Sequence, residues 1–297
     1  MRAFVAISVA AALSMGVTGS ERPRVVAKIT TGTAPCGAVV SLGSVWVAND
    51  DGTLVRINPK TNHVVRRIRV GAGSCSLAAG AGALWVANYK TGLLRVRPHT
   101  GRVRRIAVGA TPFDVLVAFG RVWVTAWGDG HVAEVHPHSL RVLRRIPVGA
   151  KPIGLIASHG AVWVGLGIGS SIARIDPAKG SVQKIEVHAW APGWFVTGTR
   201  GFWIQAEGGQ VVQVNPVARR DIGHMHFGRT LAQGAAAPDG SIWIPDKEQS
   251  RVYRIDPERA GVTGSFAAGP GAYLALRAFG SMWVASYAGT DVWRFRP

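Results

Sequence analysis

The chain has 297 residues, 47% of them apolar in type, and carries 34 Lys and Arg against 16 Asp and Glu, a formal net charge of +18. That apolar content excludes a disordered polar chain, which buries too little surface to offset the entropy of ordering, and two cysteines are too few for a small disulfide-framed scaffold. The charge points to anionic partners or to an arginine-rich solubilising surface.

Met1 and Arg2 precede an uncharged run from Ala3 to Val17, and Gly19, Ser20 and Glu21 follow. A basic start, a short apolar core and small residues at the exit predict a signal peptide over residues 1–20, with an uncleaved N-terminal anchor as its rival. Export follows as an expectation, and it would put nucleic acid out of reach as a partner.

Next comes an isolated apolar run, Val25 to Ile29. From Thr33 to Val70 the chain then reads as four short runs rich in β-branched residues, Ala38–Ser41, Val45–Ala48, Leu54–Ile57 and His63–Val70, separated by Gly, Asn, Asp and Pro. This is a four-stranded antiparallel unit. It recurs, because tryptophans at 46, 85, 123, 163, 203, 243 and 283 stand 38 to 40 residues apart, with Pro59, Pro98, Pro137, Pro177, Pro216, Pro257 and Pro297 following each in turn. Units of this size cannot bury their own apolar face and must stack. The predicted fold is therefore all-β, a seven-bladed β-propeller in one domain over residues 24–297. The last repeat has three strands, ending at Val292–Phe295, so the run Val25–Ile29 is expected to supply its fourth and close the ring. The seven tryptophans are read as scaffold filling the wedges between blades.

Cys36 and Cys75 each lie ten residues before a comb tryptophan, which makes them neighbours in adjacent blades. A disulfide and a pair of packed thiols both remain open.

The loop entering the first strand and the loop joining strands two and three share one face of the ring, around the channel mouth. Ten residues before each comb tryptophan stand Cys36, Cys75, Phe113, Ile153, Gly193, Gln233 and Tyr273; four after it stand Asp50, Tyr89, Trp127, Gly167, Glu207, Lys247 and Tyr287. Aromatics and acids that break the repeat are the candidate ligand-binding residues: Phe113, Asp114, Trp127, Asp129, Trp190, Trp194, Glu207, Asp246, Tyr273 and Tyr287. They suit a sugar-like, polycyclic or cationic ligand. His131, His136, His138 and the alternating pair His224 and His226 have no cysteine or carboxylate at recognisable metal-ligand spacing, so no metal or cofactor is expected. Along the outer strands, Arg66-Arg67, Arg104-Arg105 and Arg144-Arg145 occupy one repeat position in blades one to three. They are either edge protection or a basic arc for an anionic cell-wall polymer or membrane surface.

The repeat reads Gly-x-x-Pro-x-Gly, a short strand, Val-Trp-Val-Ala-Asn, Gly-Thr-Leu-x-Arg-Ile-x-Pro and Ile-x-Val-Gly, and residues 148–155 show the first motif well. Over residues 24–297 it resembles the YVTN and virginiamycin B lyase-like group of bacterial β-propellers. The resemblance implies the seven-bladed fold. For the lyase of that group it implies metal-assisted elimination that opens a cyclic depsipeptide antibiotic, using His and Glu residues at the channel mouth. Here Glu207 and Asp246 supply acids, but no histidine falls in the mouth positions, His188 being the nearest, so the lyase residues do not carry over. The expectation is an exported, non-catalytic, monomeric binding or interaction propeller without a cofactor, whose partner at the mouth is a small molecule or a protein. The alternative is a magnesium-dependent C–O lyase or hydrolase.

Overall fold

The computed structural model describes residues 22–198 and 200–297. The expected leader, residues 1–20, lies outside the described residues. Seven four-stranded antiparallel sheets follow one another in chain order. Blade one comprises β2 (Pro35–Ser41), β3 (Ser44–Asn49), β4 (Thr53–Asn58) and β5 (His63–Arg69). Blade two runs from β6 (Ser74–Gly80) to β9 (Val103–Ile106), blade three from β10 (Pro112–Ala118) to β13 (Val142–Pro147), and blade four from β14 (Pro152–Ser158) to β17 (Val182–Glu186). Blade five spans β18 (Trp194–Gly198) to β21 (Arg220–His226), and blade six β22 (Ala235–Ala236) to β25 (Gly261–Ala267). Blade seven holds β26 (Ala272–Ala278), β27 (Ser281–Ser286) and β28 (Asp291–Arg296), and its outer strand is β1 (Arg24–Thr30). The N-terminal strand thus closes the ring, with Ile29 opposite Val292 and Val25 opposite Phe295. In blades one to four and seven a tight two-residue turn joins the first two strands. At Leu42-Gly43 both φ angles are positive, 50° and 64°, the mirror-image turn whose twist matches that of a hairpin.

The core lies between blades. Each of seven buried apolar clusters draws on two neighbouring sheets; one, for example, joins Val45, Val47, Val55 and Ile57 of blade one to Leu274, Trp283 and Val292 of blade seven. All seven comb tryptophans are buried, as scaffold residues should be. Five of their indoles donate to the carbonyl five residues earlier, as Trp46 does to Ser41 at 3.2 Å and Trp163 to Ser158 at 3.0 Å. Each such bond satisfies the one polar atom of the ring while its apolar area fills the wedge. Trp163 meets Phe202 of the next blade edge-on at 5.0 Å between centroids.

Arginines staple blades at the rim. The Arg66 guanidinium donates to the Pro98 and His99 carbonyls of blade two, Arg144 to the Pro177 and Ala178 carbonyls of blade four, and Arg294 to the Pro59 carbonyl of blade one. Arg67 donates to the Thr31 carbonyl, and Glu134 holds both Arg121 and Arg144. The first members of two arginine pairs are therefore committed to neighbouring blades. Arg104, Arg105 and Arg145 are exposed.

At the channel side, Cys36 and Cys75 are joined by a disulfide between β2 and β6, with Cα atoms 5.1 Å apart. Closing a 39-residue interval restricts the unfolded chain by about 4 kcal/mol on the chain-entropy account. Unreduced protein is accordingly expected to show no free thiol, and its urea unfolding free energy to fall by about that amount on reduction; two titratable thiols before reduction would contradict the bridge. Ile29 is 5% exposed and belongs to the cluster that seals blade seven against blade one. Ile29→Ala is expected to cost about 2–4 kcal/mol in urea unfolding, as for a buried core truncation, whereas a cost within experimental error would mean that the closing strand is not part of the core.

Candidate functional site

The first strand of most blades carries a bulge at its channel end. The pairing register slips between Pro35 and Gly37, Ser74 and Leu77, Pro112 and Val115, Pro152 and Leu155, and Ala272 and Leu274. A bulge leaves its extra residue outside the ladder and re-aims the side chains around it. The residues freed in this way are Cys36, Cys75, Ser76, Phe113, Asp114, Ile153, Gly154 and Tyr273, the positions that the repeat places at the mouth. The mouth is thus built from backbone irregularity shared by five of the blades and side chains that differ between blades.

Side chains of blades three, five and seven meet at the mouth. Phe113 of blade three lies 5.8 Å from Trp194 of blade five, Trp194 lies 6.1 Å from Tyr273 of blade seven at 82°, and Tyr273 lies 5.1 Å from Tyr287. Rings from alternate blades are thus in contact at this level. On one side of that aromatic wall is a cavity of about 490 Å³ against blades one to three, bounded also by Asp50, Asp114, Gln233 and Lys247. On the other side is a hollow of about 340 Å³, lined by Ile153, Gln205, Glu207 and Arg229. Trp194 lines both. Both amide atoms of Gln205 are buried without a partner among the described residues.

The larger cavity is electrostatically mixed. Asp114 is 5% exposed, and burial raises its carboxyl to about 6 even though the Ser76 hydroxyl and the Leu155 and Val115 N–H groups all donate to it. Burial, then the neighbouring Tyr287 and Asp114, push the Tyr273 phenol above its ordinary range. Asp50 accepts from the Tyr89 hydroxyl at 3.3 Å through Oδ2, and its Oδ1 is buried without a partner among the described residues. Lys247 supplies the cation, 4.3 Å from the Tyr287 ring centre and 5.8 Å from that of Tyr273. An ammonium already seated on these faces disfavours a second cation there. The lining chemistry fits a neutral ring-bearing ligand with polar substituents better than a cationic one.

Of the residues proposed from sequence, Phe113, Asp114, Trp194, Tyr273 and Tyr287 converge on this cavity. The others lie elsewhere. Trp127 packs under the Lys151 ammonium at 5.1 Å, and Asp129 accepts the Ala110 N–H at 2.6 Å, capping a turn much as Asp51 does for Thr33. Asp246 is fully buried, taking the Arg229 and Gln249 N–H groups at 2.6 and 2.9 Å. It occupies the same position, three after the comb tryptophan, as the buried Asn49 and Asn88, whose side chains also bind the turn backbone. Glu207 is exposed in a single 3-10 turn beside the smaller hollow, and Trp190 is 55% exposed in a groove next to His188. Sequence reasoning placed Asp50, Tyr89, Gln233 and Lys247 at the mouth but did not select them. Their signal is position alone, and only the structure shows which blades face the open side of the wall.

No protein-family model matches this sequence, and no curated protein matches it either. Solved structures do. A catalytically inactive virginiamycin B lyase from Staphylococcus aureus, determined with quinupristin, superposes with a TM-score of 0.80 at 14% identity, covering 91% of this chain and 98% of that one. A streptogramin B lyase gives 0.79 at 13% identity over 91% and 96%, and Kuenenia stuttgartiensis hydrazine synthase 0.76 at 14% over 91% and 97%. At this identity the likeness establishes the architecture, a seven-bladed propeller of the kind found in virginiamycin B lyase.

Proposed function

We propose that this chain is an exported binding protein without catalytic function, and that its ligand is a neutral small molecule bearing an aromatic or sugar-like ring, held in the 490 Å³ cavity. The observation that carries the reading is the wall of Phe113, Trp194, Tyr273 and Tyr287, side chains outside the scaffold repeat that enclose a cavity of ligand size. Export is supported by the leader-like N-terminus and by the Cys36–Cys75 disulfide, which persists in oxidising compartments.

The residues lining the cavity support binding over chemistry. Its acids are Asp50 and Asp114, and no histidine lines it among the described residues. Three donors engage Asp114 from Ser76, Val115 and Leu155, so this carboxylate is tied into the scaffold. Likeness to lyases in fold alone does not transfer their activity.

Titration with neutral aryl glycosides and with quinupristin tests the reading. A compound that binds the wild type is expected to lose at least about tenfold in affinity in Trp194→Ala, the scale of one lost aromatic contact, and to be recovered intact with or without magnesium. Binding that is indifferent to Trp194→Ala would overturn the site, and magnesium-dependent consumption of quinupristin would overturn the absence of catalysis.

Asp114 also gives the protein a pH signature. Its folded value of about 6 lies above the ordinary 3.8, so the folded state binds the proton more tightly. The resulting stabilisation is complete below pH 4 and is lost as pH rises through 6. Asp114→Asn removes this dependence. Relative to the variant, the wild type is expected to lose up to about 3 kcal/mol in urea unfolding between pH 4 and 7.5, and parallel profiles for the two proteins would contradict the assignment.

A further inference from the structure

The rim between blades four and five carries three side chains that break the repeat. His188 follows β17, and Asp221 and His224 lie on β21. In an unbroken strand, residues three apart point to opposite faces. Here Val214 pairs with Asp221 while Gln213 pairs with Gly223, so a bulge inserts one residue and brings Asp221 and His224 to the same side. The His188 Nδ1 then lies 2.6 Å and the His224 Nε2 3.3 Å from Asp221 Oδ2, and the two imidazoles meet edge-on at 5.6 Å between centroids. The His188 backbone N–H donates to the same oxygen at 2.9 Å, which fixes the carboxylate from behind. No carboxylate stands at recognisable metal-ligand spacing from His224 in the sequence; the bulge brings Asp221 to it.

The repeat itself shows that none of these residues is needed by the scaffold. In the register that pairs Val214 with Asp221, the other six blades carry valine: Val25, Val64, Val103, Val142, Val182 and Val262. Where blade four ends in His188, the other outer strands are followed by glycine: Gly32, Gly71, Gly109, Gly149, Gly228 and Gly269. Opposite Val212 stands His224, at the position that holds Lys28, Arg67, Arg105, Arg145 and Lys184 in five other blades. A fixed cation has been replaced by a side chain that can be a neutral ligand.

The geometry points to a surface site for a divalent transition metal, held by His188, Asp221 and His224. The three ligand atoms lie within 4.8 Å of one another, and tetrahedral zinc with its ordinary bond lengths needs ligand atoms about 3.3 Å apart. Two imidazoles and one carboxylate are a donor set for zinc, nickel or copper, while calcium and magnesium prefer all-oxygen sites. His188 follows the outer strand of blade four and its two partners are on the outer strand of blade five, so the ion would tie the two blades together. Solvent is open to the fourth position, because the His188 side chain is 83% exposed.

Calorimetric titration of the purified full chain with zinc chloride tests this. One zinc ion per chain is expected, with the thermal midpoint of unfolding raised by the metal. The double variant His188→Gly, Asp221→Val restores the residues of the other blades, so it should fold as the wild type by circular dichroism, lose zinc affinity at least about tenfold and lose the thermal shift. His226→Ala, on the same strand, should change neither. Absence of stoichiometric binding, binding that survives the double variant, or an equal loss in His226→Ala would each overturn the site.

Discussion

No blade of this protein has a core of its own. The buried apolar residues form clusters shared between neighbouring sheets, each with a comb tryptophan in the wedge, so a sheet is stable only with a sheet on either side. That condition can be met for all seven only by closing the ring, and the pairing of β1 with β28 is where closure occurs. The Arg294 contact to Pro59 and Asn62, from the last blade to the first, reinforces the same seam. Everything functional then sits on a frame whose inner and outer edges are fixed by the same repeated geometry.

On such a frame, variation is expressed through bulges. In five blades the inner bulge frees one or two side chains at the mouth, and Trp194 joins them from the regular first strand of blade five. Phe113, Trp194 and Tyr273 touch one another there, and Trp194 lines both of the two unequal hollows. The outer bulges do the same at the rim. In blade five such a bulge turns an otherwise alternating strand into a face that carries both Asp221 and His224. In both places the backbone departure recurs from blade to blade, and the side chains give it chemistry in only a few.

The fold was legible in the sequence because its determinant is periodic. One tryptophan and one proline per repeat mark the strands, and a three-stranded last repeat with a spare N-terminal strand marks the closure. The site was legible in part. Five of the ten residues proposed from the repeat, Phe113, Asp114, Trp194, Tyr273 and Tyr287, line one cavity, and the other five lie elsewhere. Asp129 and Asp246 are acids because turn N–H groups need acceptors, and Asp246 stands in a position that asparagines fill elsewhere. Arg66 and Arg144 read as surface charge, yet they reach carbonyls of the next blade. These outcomes depend on distances between blades, which one-dimensional spacing does not contain.

The central claim is that the non-repeating aromatics at the mouth form the recognition site. Crystals soaked with small neutral ring compounds test it most directly. The account predicts that they collect against Trp194, Tyr273 and Tyr287 on the side of blades one to three and leave the seven comb tryptophans untouched. Ring compounds distributed over the outer grooves, with the mouth cavity empty at concentrations that fill those grooves, would contradict it.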